Sequence, residues 1–259
     1  MSESTVEART ARRGAAVPGD RRVALITGAN KGIGYHTAQL LGQQGLTVLV
    51  GARDEARGVE AAEKLAAEGL AARFVQLDVT DAGSVARAAA WIDETYGRLD
   101  VLVNNAGVLL DGGRRVTETT VDQLRETFET NVFGVAAVLT AMLPLLRRSA
   151  AGRVVNLSSK LGSLGENSTH HERLAPYQLL GYCSSKAAVN ALTVLYANAL
   201  RPDGIKVNSV EPGFVATDLN GHAGPGRPQD AARVVARFAL LGPDGPTGAF
   251  HEDAGPVPW

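Results

Sequence analysis

From Arg22 onward, short apolar runs rich in β-branched residues alternate with longer stretches of helical spacing, and this alternation constrains the chain more than any other feature. The runs are Val23-Ala24-Leu25-Ile26, Thr47-Val48-Leu49-Val50, Phe74-Val75-Gln76-Leu77, Val101-Leu102-Val103, Val154-Val155-Asn156-Leu157 and Ile205-Lys206-Val207-Asn208-Ser209-Val210. Near-continuous apolar runs of this length read as strands covered on both faces. Between them, residues 33–43, 54–68, 81–96, 121–148, 182–200 and 227–241 carry helical spacing. Strand and helix in regular alternation imply βαβ units and a parallel sheet, with right-handed crossovers placing helices on both sides. The expected fold is α/β: a single Rossmann-type doubly wound domain over residues 22–259, with no interior linker and no solenoid repeat. In such sheets ligands lie beyond the carboxyl ends of the strands, so chemistry is sought just after each run.

Composition narrows the function classes. The 259 residues are 45% apolar, enough for a large core without disulfide or metal staples. Lys and Arg number 26 against 27 Asp and Glu, a net charge of −1, which gives no global footprint for nucleic acid or an anionic membrane. A lone cysteine, Cys183, excludes a disulfide framework within the chain and a cysteine-cluster metal site; with it goes an expectation of a reducing, cytoplasmic setting. No run of 18 apolar residues predicts a membrane span. Residues 1–21 lack an apolar signal region, hold almost nothing to bury, and read as a disordered leader.

After the first run comes Thr27-Gly28-Ala29-Asn30-Lys31-Gly32-Ile33-Gly34. The spacing is G-x-x-x-G-x-G, not the G-x-G-x-x-G fingerprint and not a P-loop. The physics is shared: glycines let the backbone turn tightly and approach a pyrophosphate, and the helix that follows offers free N–H groups. By itself the loop is equally an ordinary glycine-rich turn.

Further along, Tyr182 and Lys186 stand four apart on an expected helix and share a face. An ammonium beside a phenol favours the phenolate, which predicts a Tyr182 pKa below the free value of about 10. Ser158-Ser159 ends the fifth run. Asn131 falls on the apolar face formed by Leu124, Phe128, Val135, Leu139, Met142 and Leu146, where a polar group needs a partner.

Taken in order, these features resemble the short-chain dehydrogenase/reductase family. The glycine loop is similar to its TGxxxGxG. Asn104-Asn105-Ala106-Gly107 follows the fourth strand, Asn131 lies in the next helix, Ser158-Ser159 ends the fifth strand, Tyr182-Cys183-Ser184-Ser185-Lys186 is the Tyr-x-x-x-Lys pair, and Pro212-Gly213-Phe214-Val215-Ala216-Thr217 follows the sixth. The run from Gly242 to Trp259 resembles, more weakly, the tail of carbonyl-reductase-type members.

The resemblance implies NADPH-dependent reduction of a ketone or aldehyde to an alcohol. Tyr182 would donate the proton, and Ser159, with Ser158 as the alternative, would steady the carbonyl oxygen. Lys186 would lower the Tyr182 pKa and hold the nicotinamide ribose. Asn131 would order a water in a proton relay, the alternative being a satisfied core amide. It assigns cofactor contacts to Gly28, Asn30, Lys31, Gly32, Ile33, Gly34, Arg53, Asp78, Val79, Asn105, Ala106, Gly107, Tyr182, Lys186, Pro212, Gly213, Val215 and Thr217. The position where NAD enzymes carry an acid holds Ala52, followed by Arg53; with Lys31 this favours NADP(H), although Asp54 could pair with Arg53 instead. Two rivals stay open: an alcohol dehydrogenase working oxidatively, and a non-catalytic NADPH-binding regulator.

Cys183 reads as a packing residue, and His170 and His171 as solvated, with no metal site expected. Between Ser159 and Tyr182 the chain is longer than the compact family pattern. This 160–181 insertion is expected to cover the helices through which many relatives pair, favouring a monomer over a homodimer or homotetramer. It is also expected to wall the pocket for a small carbonyl or alcohol substrate with Leu164, Leu174, Tyr177, Leu179 and Leu180.

Overall fold

The computed structural model describes residues 21–259, apart from the side chains at 171 and 173; the expected leader otherwise lies outside the described residues, and so does the reading of His171. Arg21 itself belongs to the fold, since its carbonyl accepts a bond from the Arg98 guanidinium at 3.1 Å.

The strands are β1 Val23–Thr27, β2 Thr47–Ala52, β3 Ala72–Gln76, β4 Val101–Asn104, β5 Arg153–Leu157, β6 Lys206–Val210, β7 Phe250–Glu252 and β8 Gly255–Pro256. The helices are α1 Gly32–Gln43, α2 Glu55–Ala67, α3 Ala82–Tyr96, α4 Val121–Phe128, α5 Gly134–Leu146, α6 Leu164–Thr169, α7 His171–Leu174, α8 Leu180–Ala199 and α9 Pro228–Ala239. They wrap one sheet in the order β3-β2-β1-β4-β5-β6-β7-β8, parallel except for the final β7–β8 pair. The order reverses between β1 and β4, so the ligand crevice opens above those two strands.

The continuous apolar runs are explained by two cores. Ala24, Ile26, Val48, Val50, Val101, Val103 and Val155 face α1, α2 and α9. Their neighbours Val23, Leu25, Leu49, Leu102, Val154 and Val207 face α3, α5 and α8. Leu25 and Ile26 are both fully buried on opposite faces, each worth about 1.5–3 kcal/mol of transfer free energy. The stretch Val121–Leu146 is long and apolar enough to cross a membrane by composition. In the fold its Val138, Leu139, Met142, Leu145 and Leu146 pack into the second core.

Three features depart from the sequence reading. The 121–148 helix is interrupted by a π turn at Glu129–Phe133, centred on Asn131. Strands β7 and β8 were not expected, being three and two residues long. The 160–181 insertion does not cover the α4–α5 and α8 surface: Val121, Phe133 and Leu195 stay 58%, 55% and 65% exposed. It folds as short helical turns and grips the tail instead, with Ser163 Oγ donating to the Pro258 carbonyl at 2.6 Å and Gly165 N–H to that of Trp259 at 2.7 Å. Trp259 in turn stacks on Phe250, ring centroids 5.7 Å apart.

Candidate active site

The loop after β1 is a backbone cradle. Gly28 and Gly32 have φ of +62° and +58°, a region that favours glycine. A Cβ on Gly34 would fall 2.7 Å from the Gly28 carbonyl oxygen and 2.5 Å from Asn105 Nδ2. Asn105 locks the loop: its amide donates to the carbonyls of Thr27 and Gly28 at 2.8 and 3.0 Å, while Thr27 Oγ1 accepts from the N–H groups of Asn105 and Ala106. The first turn of α1 has no side-chain cap and no acidic residue. Its N–H groups therefore converge, without a side-chain acceptor, on a concavity that only glycine leaves open, and this fits a dinucleotide pyrophosphate.

At the end of β2, Ala52 is buried and Arg53 is exposed. Asp54 does not pair with Arg53. It caps α2, accepting from Arg57 N–H at 3.0 Å, and its other oxygen meets the Arg57 guanidinium at 3.7 Å. Lys31, expected free for a phosphate, is ion-paired with Asp218, which also meets His222 Nε2 at 2.8 Å. Asp78 accepts from Thr80, through its N–H at 2.9 Å and its hydroxyl at 2.7 Å, and Val79 packs where a Cβ on Gly134 would come within 2.8 Å. The loop after β6 returns over the cradle. Gly213 has φ of +87°, Val215 is buried and bridges Gly226, and the Thr217 methyl lies 3.7 Å from where a Gly32 Cβ would be. Pro212 is half-buried, as are Asn30 and Ile33.

Beside this cradle α8 presents Tyr182 and Lys186, 8% and 6% exposed. The Lys186 ammonium donates to the Leu157 carbonyl at 2.8 Å and lies 5.6 Å from the Tyr182 ring centre. The predicted fall in the Tyr182 pKa is not what the structure gives. Burial pushes the phenol well above its ordinary value; the Glu211 carboxylate and Cys183 add to the rise, and a hydrogen bond with Ser159 opposes it. Burial also brings Lys186 down to about 8, with Glu211 opposing. Desolvation penalises both charged forms, so it outweighs the attraction the sequence spacing suggested.

The two serines separate cleanly. The Ser158 hydroxyl is buried and turned to the Lys186 carbonyl at 3.4 Å. Ser159 is half-buried, and its Oγ accepts from Leu161 N–H at 3.2 Å. The Asn131 amide is satisfied: its oxygen accepts from Val108 N–H at 2.8 Å, and its nitrogen donates to the Val108 carbonyl at 2.9 Å and Ser185 Oγ at 3.0 Å. Of the two readings of Asn131, its side-chain bonds match the satisfied core amide. Gly107 lies between, where a Cβ would be 3.3 Å from Asn131 Oδ1 and 3.8 Å from Lys186 Nζ.

Sequence reading missed four supports. Asp111, fully buried, accepts from Gly181 N–H at 2.6 Å and so caps α8 from 70 residues away. Gly162 lets the serine loop touch α8, since a Cβ there would fall 2.6 Å from Lys186. A buried ladder runs from Asn104 to Asn156 at 2.8 Å and on to Thr193 at 2.9 Å. Glu211 closes the site from β6. Of the apolar insertion residues, Leu174 is buried, Leu179 and Leu180 are half-buried, and Leu164 is exposed. Tyr177 sets its ring edge-on against Phe214 at 5.9 Å. The Cys183 thiol, raised by burial, donates to the Tyr177 carbonyl at 3.5 Å, in keeping with a packing role, and His170 is exposed.

A nucleotide cradle at the β1–β4 switch point, facing a serine, a tyrosine and a lysine on one wall, defines the short-chain dehydrogenase class. The chain belongs to that family: the short chain dehydrogenase model matches residues 22–227. It is 34% identical to carbonyl reductase (NADPH) 1 of Rattus norvegicus, over 93% of this chain and 99% of that protein. It is 32% identical to (-)-isopiperitenone reductase of Mentha piperita, over 89% and 96% of the two chains. Its fold superposes on the crystal structure of NADPH-bound carbonyl reductase from chicken fatty liver with a TM-score of 0.81, at 29% identity and 92% and 99% coverage.

Proposed function

We propose that this protein reduces the carbonyl group of a small ketone or aldehyde, with NADPH as the cofactor. The observation that carries the reading is the convergence of Ser159, Tyr182 and Lys186 on the mouth of the glycine cradle. Bound NADPH supplies a hydride to the carbonyl carbon. The cradle from Gly28 to Gly34 would hold its pyrophosphate, Asp78 and Val79 would meet the adenine, and Arg53 would meet the 2′-phosphate. Ala106, Gly107, Pro212, Val215 and Thr217 would line the remainder, and Lys186 would hold the nicotinamide ribose.

The chain's own groups handle the oxygen. Ser159 and Tyr182 take the carbonyl oxygen between their hydroxyls, and Tyr182 passes its proton to the oxygen as it becomes an alkoxide. A phenol held above its ordinary pKa by burial stays protonated at neutral pH, as a proton donor must. Lys186, with its amine about evenly split between charged and neutral forms near pH 8, stands next in line to restore the proton. The complete constellation favours this reading over a regulator that only binds NADPH. Consumption of NADPH across a panel of aromatic aldehydes, quinones, terpenoid ketones and steroids tests it; no turnover with any carbonyl, alongside tight NADPH binding, would favour the regulator.

Ser159→Ala is expected to lose about 10²-fold or more in kcat/KM, in the range of one lost oxyanion donor. Ser158→Ala is expected to lose little, because its hydroxyl serves only a helix carbonyl. The reverse ranking in steady-state assays would mean that the wrong serine faces the substrate.

The chain is further proposed to act in the cytoplasm, with Tyr177 and Phe214 as the wall that grades substrates. Because the insertion leaves the α4–α5 and α8 face open, the reason for expecting a monomer is gone, and pairing through the face marked by Val121, Phe133 and Leu195 is proposed in its place. Light scattering at micromolar concentration is expected to give a dimer or tetramer mass, and a stable monomer would overturn that.

A further inference from the structure

The helix that carries Tyr182 does not cap itself. α8 follows Leu179, whose side chain offers no acceptor to the first free N–H groups, and its first turn holds no acidic residue. The acceptor comes from 70 residues earlier: Asp111, fully buried, takes the Gly181 N–H on Oδ2 at 2.6 Å. Its Oδ1 is buried with no partner among the described residues, so the carboxylate is committed to Gly181. The approach is close. A Cβ on Gly181 would lie 3.3 Å from Asp111 Oδ2 and 3.2 Å from Thr127 Oγ1 on α4, so glycine lets the carboxylate reach the backbone beside Tyr182.

A second tie holds the same helix one turn on. Asn131 Nδ2 donates to Ser185 Oγ at 3.0 Å, and that hydroxyl donates to the Tyr182 carbonyl at 2.7 Å. Asn131 is also bonded both ways to the Val108 backbone, at 2.8 and 2.9 Å. Val108 and Asp111 belong to one segment. Its other end, Asn105, locks the glycine cradle through the Thr27 and Gly28 carbonyls. Residues 105–111 therefore run from the cofactor loop to the helix of the proton donor. They hold α8 at Gly181 directly and at Ser185 through Asn131, on either side of Tyr182.

We propose that Asp111 is a positioning residue: as the end of this spacer it fixes the first turn of α8, and with it the reach of the Tyr182 hydroxyl to a carbonyl held over the cradle. The inference rests on the reductase reading of the same site. A serine or aspartate at position 179 could cap the helix equally well. A cap from residues 105–111 adds what a local one cannot, because it refers the helix to the cradle. Without Asp111 the Gly181 N–H is a buried donor lacking an acceptor, and the turn frays to satisfy it. Ser185 still holds the next turn, so α8 stays docked while the phenol loses its place. A displacement of about 1 Å costs on the order of 10²-fold in rate, and the loss falls on the chemical step rather than on binding.

Asp111→Ala and Asp111→Asn separate positioning from general damage. Both lose the charge, but the asparagine oxygen still accepts from Gly181, and its NH₂ replaces an oxygen that has no partner among the described residues. With 4-nitrobenzaldehyde and NADPH, kcat per NADPH-binding site is expected to fall about 10–10²-fold in Asp111→Ala, with NADPH Kd and aldehyde KM within about threefold of wild type, and to recover to within about fivefold in Asp111→Asn. An unchanged kcat per site, a loss shared equally by Kd and KM, or an asparagine variant no better than alanine overturns the proposal. Gly181→Ala reaches the same bond without removing the carboxylate, since its Cβ presses on Oδ2 while alanine favours the helix. It is expected to lose about 3–10-fold in kcat per site, and full activity there also overturns the proposal, even where Asp111→Ala does not fold.

Cys183, the lone cysteine, reads the same turn without turnover. Its N–H donates to the Leu179 carbonyl at 2.8 Å and its thiol to the Tyr177 carbonyl at 3.5 Å. Iodoacetamide is expected to alkylate it about tenfold faster in Asp111→Ala than in Asp111→Asn, through local opening of the turn. Both variants are uncharged at position 111, so the influence of the Asp111 charge on the thiol cancels. Equal labelling overturns the proposal even where kcat has fallen. A wild type inactive toward every panel carbonyl instead fails the reductase reading, and the labelling still decides whether Asp111 holds the turn.

Discussion

Tyr182→Phe is expected to reduce carbonyl turnover by about 10²–10⁴-fold, the usual worth of a positioned acid or base, while fold and NADPH affinity are kept. The ring is 8% exposed and packed into the site, so replacing it by phenylalanine keeps the packing and removes only the hydroxyl. Near-wild-type kcat/KM would sink the proton-donor assignment. The same variant reads the electrostatics. Burial, Glu211 and Cys183 all push the phenol up and only the Ser159 bond opposes, so Tyr182 stays protonated at pH 10, where a free tyrosine is half ionised. The tyrosinate absorbance of wild type and Tyr182→Phe, both without cofactor, is therefore expected to coincide at pH 10. An extra ionising tyrosine in the wild type would mean that the attraction of Lys186 prevails over desolvation after all.

Arg53→Ala is expected to weaken NADPH binding by about 10–150-fold, from the roughly 1.5–3 kcal/mol of a hydrogen bond to a charged group, and to leave NADH binding nearly unchanged. Arg53 is exposed at the end of β2, and the acid that could have occupied it, Asp54, is engaged with Arg57. Lys31→Ala is expected to act in the same direction but more weakly, because the Lys31 ammonium must first leave Asp218. Combined with Arg53→Ala its effect falls short of the sum, since both cations would share one phosphate. Titration of each variant with the two cofactors, followed by fluorescence or calorimetry, checks this. Equal losses for NADPH and NADH would show that the 2′-phosphate is not what Arg53 meets.

Some of this site was written in local spacing. A helix turn of 3.6 residues puts Tyr182 and Lys186 on one face whatever surrounds them, and a glycine loop between an apolar run and a helix is a cradle by backbone geometry alone. The six long strands were equally legible, because strands covered on both faces must be apolar throughout. β7 and β8 were not, since three and two residues carry no period; they exist because β6 offers an open edge for Phe250 and His251 to pair with. The insertion was visible as extra length, but its choice of the tail over the α8 face depends on carbonyls of Pro258 and Trp259 that no pattern announces.

Sequence by itself determined which residues could do chemistry; tertiary structure decided which of them do and in what state of charge. Ser158 and Ser159 are chemically identical in the sequence, and only the docking of β5 against α8 buries one hydroxyl on a carbonyl and leaves the other beside Tyr182. Asp111 caps α8 and Glu211 stands behind Ser159 through contacts 70 and about 50 residues distant in the chain, beyond the reach of any local rule. The sign of the Tyr182 shift was likewise undetermined by spacing. Proximity to a lysine lowers a phenol's pKa and burial raises it, and burial is a property of everything packed around the pair.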